Sequence, residues 1–177
     1  MEDYLYLAHH KNCLKIHSFV LMPNHFHLVA EAQTAPIGLV MNEFMTETSK
    51  ELNRLSGRIN QNWGGRFYRT LLTEPIYSVN CYKYVYQNPL RAGLSPRAEL
   101  WKYSTLAGIL GNAKVIIPLE PDNILFTPDL NLSELDWLNA HSIETDLHDF
   151  RKGLKKTQFS LPLNDNGTPH RLANSRL

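Results

Sequence analysis

The stretch MPNHFHLV, residues 22–29, decides how the chain is organised. Two histidines, His25 and His27, flank one bulky apolar residue, Phe26. If this run is a β-strand, successive side chains point to opposite faces, so both imidazoles share one face and Phe26 enters the core. Their Cα atoms then stand about 6.6 Å apart, two strand steps. Imidazoles at that spacing can lean toward one cation at a ligand distance of about 2.1 Å. A bare His-x-His has two open readings, a pair of surface histidines or half of a metal site. A third ligand and a reacting group are what separate them.

On the N-terminal side, LKIHSFVL (residues 14–21) is rich in β-branched and aromatic residues and reads as a buried strand, with Met-Pro-Asn as the turn of a hairpin. Residues 2–12 read as the end of a helix. From Ile37 the period changes: Ile37, Val40, Met41, Phe44, Met45, Thr48, Leu52 and Leu55 follow helical spacing up to Gly57, a natural stop. That stripe reads as core, and the polar face supplies Lys50, Arg54 and Arg58. Asn60–Gly65 reads as a loop holding Trp63, which either stacks a base or anchors the loop. Arg66–Thr73 reads as a strand. A second long helix is predicted from Glu74-Pro75, with Pro75 in its first turn, ending by Asn88 because Pro89 comes next. Tyr84 and Asn88, four apart, share a face of that helix. Asn88 offers a hard oxygen ligand of the kind magnesium or manganese accepts. Tyr84 is either a nucleophile or a packing tyrosine with its hydroxyl at the surface.

The 177-residue chain is long enough to bury a real core as one domain with an appendage. Two cysteines, Cys13 and Cys81, make no disulfide framework, so a reducing cytoplasm is expected. No signal peptide and no membrane-length apolar run is legible, and no membrane partner is expected. The net charge of +1 hides strong segregation. Residues 50–102 carry nine basic against three acidic side chains, and residues 151–177 six against one, whereas 113–150 carry one against eight. The basic blocks could follow a phosphate backbone or be an ordinary charge-segregated surface.

MPNHFHLV together with the later YVYQNPLRAGL (residues 84–94) closely resembles the single-tyrosine HUH transposases, specifically the REP-associated tyrosine transposase branch. GGRFYRTLL and ELWKYSTLAGILG look like the same family, and the resemblance covers roughly residues 10–112. It implies an α+β fold, a ferredoxin-like antiparallel sheet with helices on one face, the histidines on a central strand and the tyrosine helix over them. It further implies metal ligands His25, His27 and Asn88, the nucleophile Tyr84, and Mg2+ or Mn2+ as cofactor. Members usually open with a strand and a full first helix, whereas this chain starts inside that helix, so the sheet is expected without the family's first strand. Residues 1–112 are then the HUH domain. Residues 113–177 form a variable extension, with helices over Ser133–His141 (Ser133 and Asp136 spaced as a capping box) and Asp146–Lys156, and a poorly ordered tail from Leu161.

The implied chemistry is attack by Tyr84 on a phosphodiester of single-stranded or hairpin DNA, giving a 5′-phosphotyrosine link and a free 3′-hydroxyl. Arg54, Arg58, Arg66 and Arg69 are the candidates for backbone contacts. No small-molecule substrate is expected. If the Tyr84 helix docks on the histidines of a second copy, the active site belongs to a homodimer. Two other readings compete. A domesticated or decayed transposase would bind hairpin DNA without cutting it. A cupin-type metal enzyme shares the spacing of His25, His27, Glu31 and Gly38, but lacks a second motif and needs a β-rich fold.

Overall fold

A computed structural model describes residues 1–59, 62–65, 67–120, 132–170 and 172. The architecture is α+β, with a two-stranded antiparallel sheet and seven α-helices among those residues. The chain divides into two compact units, Met1–Phe67 with Glu99–Pro121 and Tyr68–Ala98 with Asp122–Leu177. Each is built from two separated stretches, and no unit boundary falls at residue 112. No helix among the described residues is long and apolar enough to cross a membrane.

In the first unit, α1 (Glu2–Asn12) leads into the hairpin β1 (Leu14–Leu21) and β2 (Phe26–Ala32), and then α2 (Ile37–Ser56). The hairpin closes tightly: Leu21 pairs with Phe26, and the Met22 N–H donates to the His25 carbonyl at 2.9 Å. His25 therefore ends the turn, one residue before β2. Alternation along β1 is weak for a physical reason. The register shifts between Ile16 and Ser18, leaving His17 as an extra residue that reverses the facing of the rest of the strand. Leu14 and Ile16 before the bulge and Phe19 after it thus enter one core.

That core joins Leu5 and Ala8 of α1 to Val40, Met41 and Phe44 of α2 and to Ile117. Fully burying each large aliphatic or aromatic side chain stabilises by roughly 1.5–3 kcal/mol. Gly57 stops α2 in the left-handed conformation (φ 66°), its N–H donating to the Asn53 carbonyl. The predicted stripe runs out before the helix does: Leu52 and Leu55 are exposed, because the core beneath ends near Thr48. The other edge of β1 is occupied by the 101–120 stretch. Leu21 N–H donates to the Tyr103 carbonyl at 2.9 Å, and Glu120 N–H to that of Ile16 at 2.9 Å. Among the described residues β2 is therefore the outer strand, not a central one. Two strands and seven helices among the described residues make an α+β architecture, whereas the cupin reading needs a β-rich one.

In the second unit, α3 (Pro75–Tyr86) starts on Pro75 as predicted and is buried on nearly every side. A short turn, α4 (Asn88–Arg91), continues past Gln87. Around α3 lie α6 (Leu132–Asn139) and α7 (Glu144–Leu154), with the Phe150 and Phe159 rings 4.8 Å apart between centroids and tilted by 49°; α5 (Thr105–Ile109) belongs to the first unit. Three expectations are corrected here. Residues 67–73 form no strand: Leu71 alone bridges Gln158, since a strand needs a partner and only one residue finds it. Ser133 is the second residue of α6 rather than its cap. The tail folds back through residue 170: Leu161 is buried, Asn164 N–H donates to the Thr168 carbonyl at 2.7 Å, and His170 pairs with Asp149 at 2.6 Å.

Candidate functional site

The histidine pair is positioned by strand alternation. Phe26, Leu28, Ala30 and Ala32 all pack on the core, so His27 points to the opposite face, where His25 meets it. Phe26 is locked among Phe19, Phe44 and Trp63 at 6.1, 5.4 and 5.4 Å between ring centroids. The two imidazole centroids are 4.9 Å apart with planes at 88°. His25 is exposed and His27 half-buried. Asn24 adds a feature that sequence reasoning missed. His25 Nδ1 lies 2.6 Å from Asn24 Oδ1, an acceptor, so in the neutral imidazole the proton sits on Nδ1 and the lone pair on Nε2. The signal was present in the motif, an amide immediately before the histidine.

Among the described residues no third His, Cys, Asp or Glu joins the pair. The donor set fits a divalent cation only if an oxygen ligand of other chemistry completes it. Asn88 has such an oxygen. Its Nδ2 donates to the carbonyls of Tyr84 at 3.0 Å and Val85 at 3.3 Å, which fixes the amide orientation. Asn88 Oδ1 then accepts no hydrogen bond among the described residues. His25 and His27 belong to the first compact unit, and Tyr84 and Asn88 to the second.

Tyr84 is half-buried, its ring 5.3 Å from that of Phe150 on α7. Arg91 lies against the same ring, its guanidinium carbon 4.4 Å from the centroid. It donates from Nη2 to the Tyr84 carbonyl at 2.6 Å and from Nη1 to Gln87 Oε1 at 3.1 Å. Burial pulls the Arg91 guanidinium below its usual range, to about 10. Buried Gln87 donates in turn to the carbonyls of Leu138 and Ala140, both at 2.8 Å. A cavity of about 40 Å³ beside Tyr84, lined by Asn80, Lys83, Ser142, Asp146 and Phe150, has room for water but not for a nucleotide. Arg91 and Gln87 were legible as letters of YVYQNPLRAGL but not as partners of Tyr84. Helical spacing alone does not turn a side chain seven residues on back over a ring.

The basic candidates are less uniform than their composition. Arg54 is taken by Glu51 through two hydrogen bonds of 2.8 and 2.6 Å, which hold the Glu51 carboxyl below and the Arg54 guanidinium above their usual ranges. Its charge is already matched. Arg58 and Arg69 are exposed, Arg58 in the first unit and Arg69 in the second. Arg66 lies outside the described residues. Trp63 is an anchor: its Nε1–H donates to buried Thr48 Oγ1 at 3.1 Å and its ring packs on Phe26.

No family model matches the chain, and neither does any curated protein or solved structure.

Proposed function

We propose that the protein is a metal-dependent strand transferase of the tyrosine HUH type, with the ferredoxin-like affinity that this implies, acting on single-stranded or hairpin DNA. The observation that carries the reading is the histidine pair at the start of β2: exposed His25 in the turn, bonded to Asn24, and half-buried His27 on the strand, their rings 4.9 Å apart between centroids. Tyr84 with Asn88 one turn later supports it, since the amide oxygen is turned loose by the bonds its nitrogen makes.

In this reading His25, His27 and Asn88 would hold Mg2+ or Mn2+, which would supply Lewis-acid neutralisation of charge on the phosphate. Tyr84 attacks phosphorus through its phenolic oxygen, and the bond to the 3′ oxygen breaks. The phenol's proton passes to solvent and the 3′ oxygen leaves as a hydroxyl. The 5′ phosphate stays on Tyr84 as a diester, so a later 3′-hydroxyl can reverse the step without ATP.

A second reading, hairpin-DNA binding without cleavage, draws on the packing of the Tyr84 ring between Phe150 and Arg91. Incubating the full chain with hairpin oligonucleotides from the DNA flanking its own gene, with manganese or magnesium, separates the two. Strand transfer predicts a covalent protein–DNA adduct on a denaturing gel that needs the metal and is lost in Tyr84→Phe. Retarded DNA without an adduct selects the binding-only reading.

A further inference from the structure

We propose that Arg91, together with Arg151, the neighbour in sequence of the Phe150 that seats the Tyr84 ring, forms a phosphate-binding site next to Tyr84 that takes a phosphodiester of single-stranded DNA. The inference deepens the strand-transfer reading and rests on it for the identity of the ligand.

Arg91 is a half-buried guanidinium that pairs with no carboxylate among the described residues. A cation withdrawn from water without a counter-charge is costly, and its natural remedy is an anion that arrives from outside. The side chain is also preorganised. Two of its five N–H groups are spent on Gln87 and the Tyr84 carbonyl, which fix the plane of the fork over the Tyr84 ring. The remaining three bond to nothing among the described residues. A rigid planar fork with open donors matches phosphate oxygens two at a time.

The mount is itself braced. Gln87, which orients Arg91, also accepts from the Ser142 hydroxyl at 3.0 Å and is held by the two carbonyls ending α6. Phe150 seats the Tyr84 ring, and Arg151, the next residue of α7, is exposed and adds a second positive charge acting on Arg91. Residues 132–154, outside the stretch that resembles the transposases, thus build part of the site.

Binding of an oligodeoxythymidylate to the full chain, read by fluorescence anisotropy across roughly 50–200 mM salt, tests this. The background is Tyr84→Phe without metal, so chemistry plays no part. Arg91→Met and Arg151→Gln should each weaken binding by about tenfold, and each should flatten the slope of log affinity against log salt by about 0.7. Arg91→Lys should restore the slope while recovering only part of the affinity, because the charge returns without the fork. Should Arg91→Met fail to fold, Arg151→Gln carries the test, since Arg151 makes no hydrogen bond among the described residues. An unchanged slope in Arg151→Gln overturns the site. Inorganic phosphate is the second probe: if it raises the thermal midpoint of the wild type but not of Arg151→Gln, with the DNA slope unmoved, the site takes free phosphate and the DNA assignment falls. An adduct formed by the wild type with unmoved slopes removes this inference alone. Flattened slopes with no adduct remove the strand-transfer reading and leave the anion site.

Discussion

His25 donates from Nδ1 to Asn24 at 2.6 Å, and its ring stands edge to face with that of His27, 4.9 Å between centroids. A ligating imidazole is oriented by whatever its other nitrogen bonds, and losing such a partner typically costs about 10- to 100-fold in metal affinity. Asn24→Ala should therefore weaken Mn2+ binding by that factor, measured by the loss of the free-ion resonance signal. Asn24 is exposed, so the thermal midpoint should hardly move. Equal Mn2+ affinity in the variant would remove Asn24 from the site.

Trp63 separates an anchor from a base-stacking platform. Trp63→Phe keeps a ring against Phe26 but deletes the donor to Thr48. We expect a loss of about 1 kcal/mol in urea unfolding and no change in single-stranded DNA affinity. Stability held with affinity lost would reverse the assignment, since stacking is worth about 1–3 kcal/mol per base.

Two glycines should respond to alanine with opposite signs. A Cβ at Gly153 in α7 would stand 2.8 Å from Phe159 Cε2 and 3.1 Å from the Ser160 carbonyl oxygen. Overpacking there costs about 1–3 kcal/mol, more than the up to about 1 kcal/mol that alanine gains over glycine in a helix. A Cβ at Gly38 in α2 meets nothing within 4 Å, so Gly38→Ala should stabilise. Chemical denaturation of both variants checks the pair, and a stabilised Gly153→Ala would mean that α7 does not pack on Phe159.

Cys81 is buried, and burial pushes its thiol up to about 12. The unfolded thiol titrates near about 8.5. Between those values the unfolded state has lost the proton that the folded state keeps, so stability falls as pH rises. Below about 8.5 the contribution is fully present. Through the window it is lost at about 1.4 kcal/mol per pH unit. Cys81→Ala should show a shallower alkaline decline in urea midpoint. In the native protein, iodoacetamide should modify exposed Cys13 and spare Cys81.

Where a signal is local, sequence and structure agree. The Pro-Asn turn, the strand over residues 14–21, the stop at Gly57 and the start at Pro75 all come from dihedral limits and side-chain periodicity carried by neighbouring residues. The spacing of the candidate residues is local too: His25 ends the turn just before His27 on β2, and Asn88 opens α4 one turn past Tyr84, its side-chain amide bonded back to the Tyr84 carbonyl.

The expectations that failed needed a partner from far along the chain. Residues 67–73 have strand-like composition, yet a strand exists only where another offers its carbonyls, and only Leu71 meets one, at residues 157–159. Leu52 and Leu55 continue an apolar stripe over a core that has already ended. Local sequence was enough for the hairpin, the long helices and the spacing of the histidines, tyrosine and asparagine, because backbone sterics and periodicity act within a few residues. It took the folded chain to lay Arg91 over Tyr84 and to brace the tyrosine's helix with α6 and α7 through Gln87 and Phe150. Those relationships join groups up to 66 positions apart, as Tyr84 and Phe150 are, and burial and hydrogen bonding select them after the chain has folded.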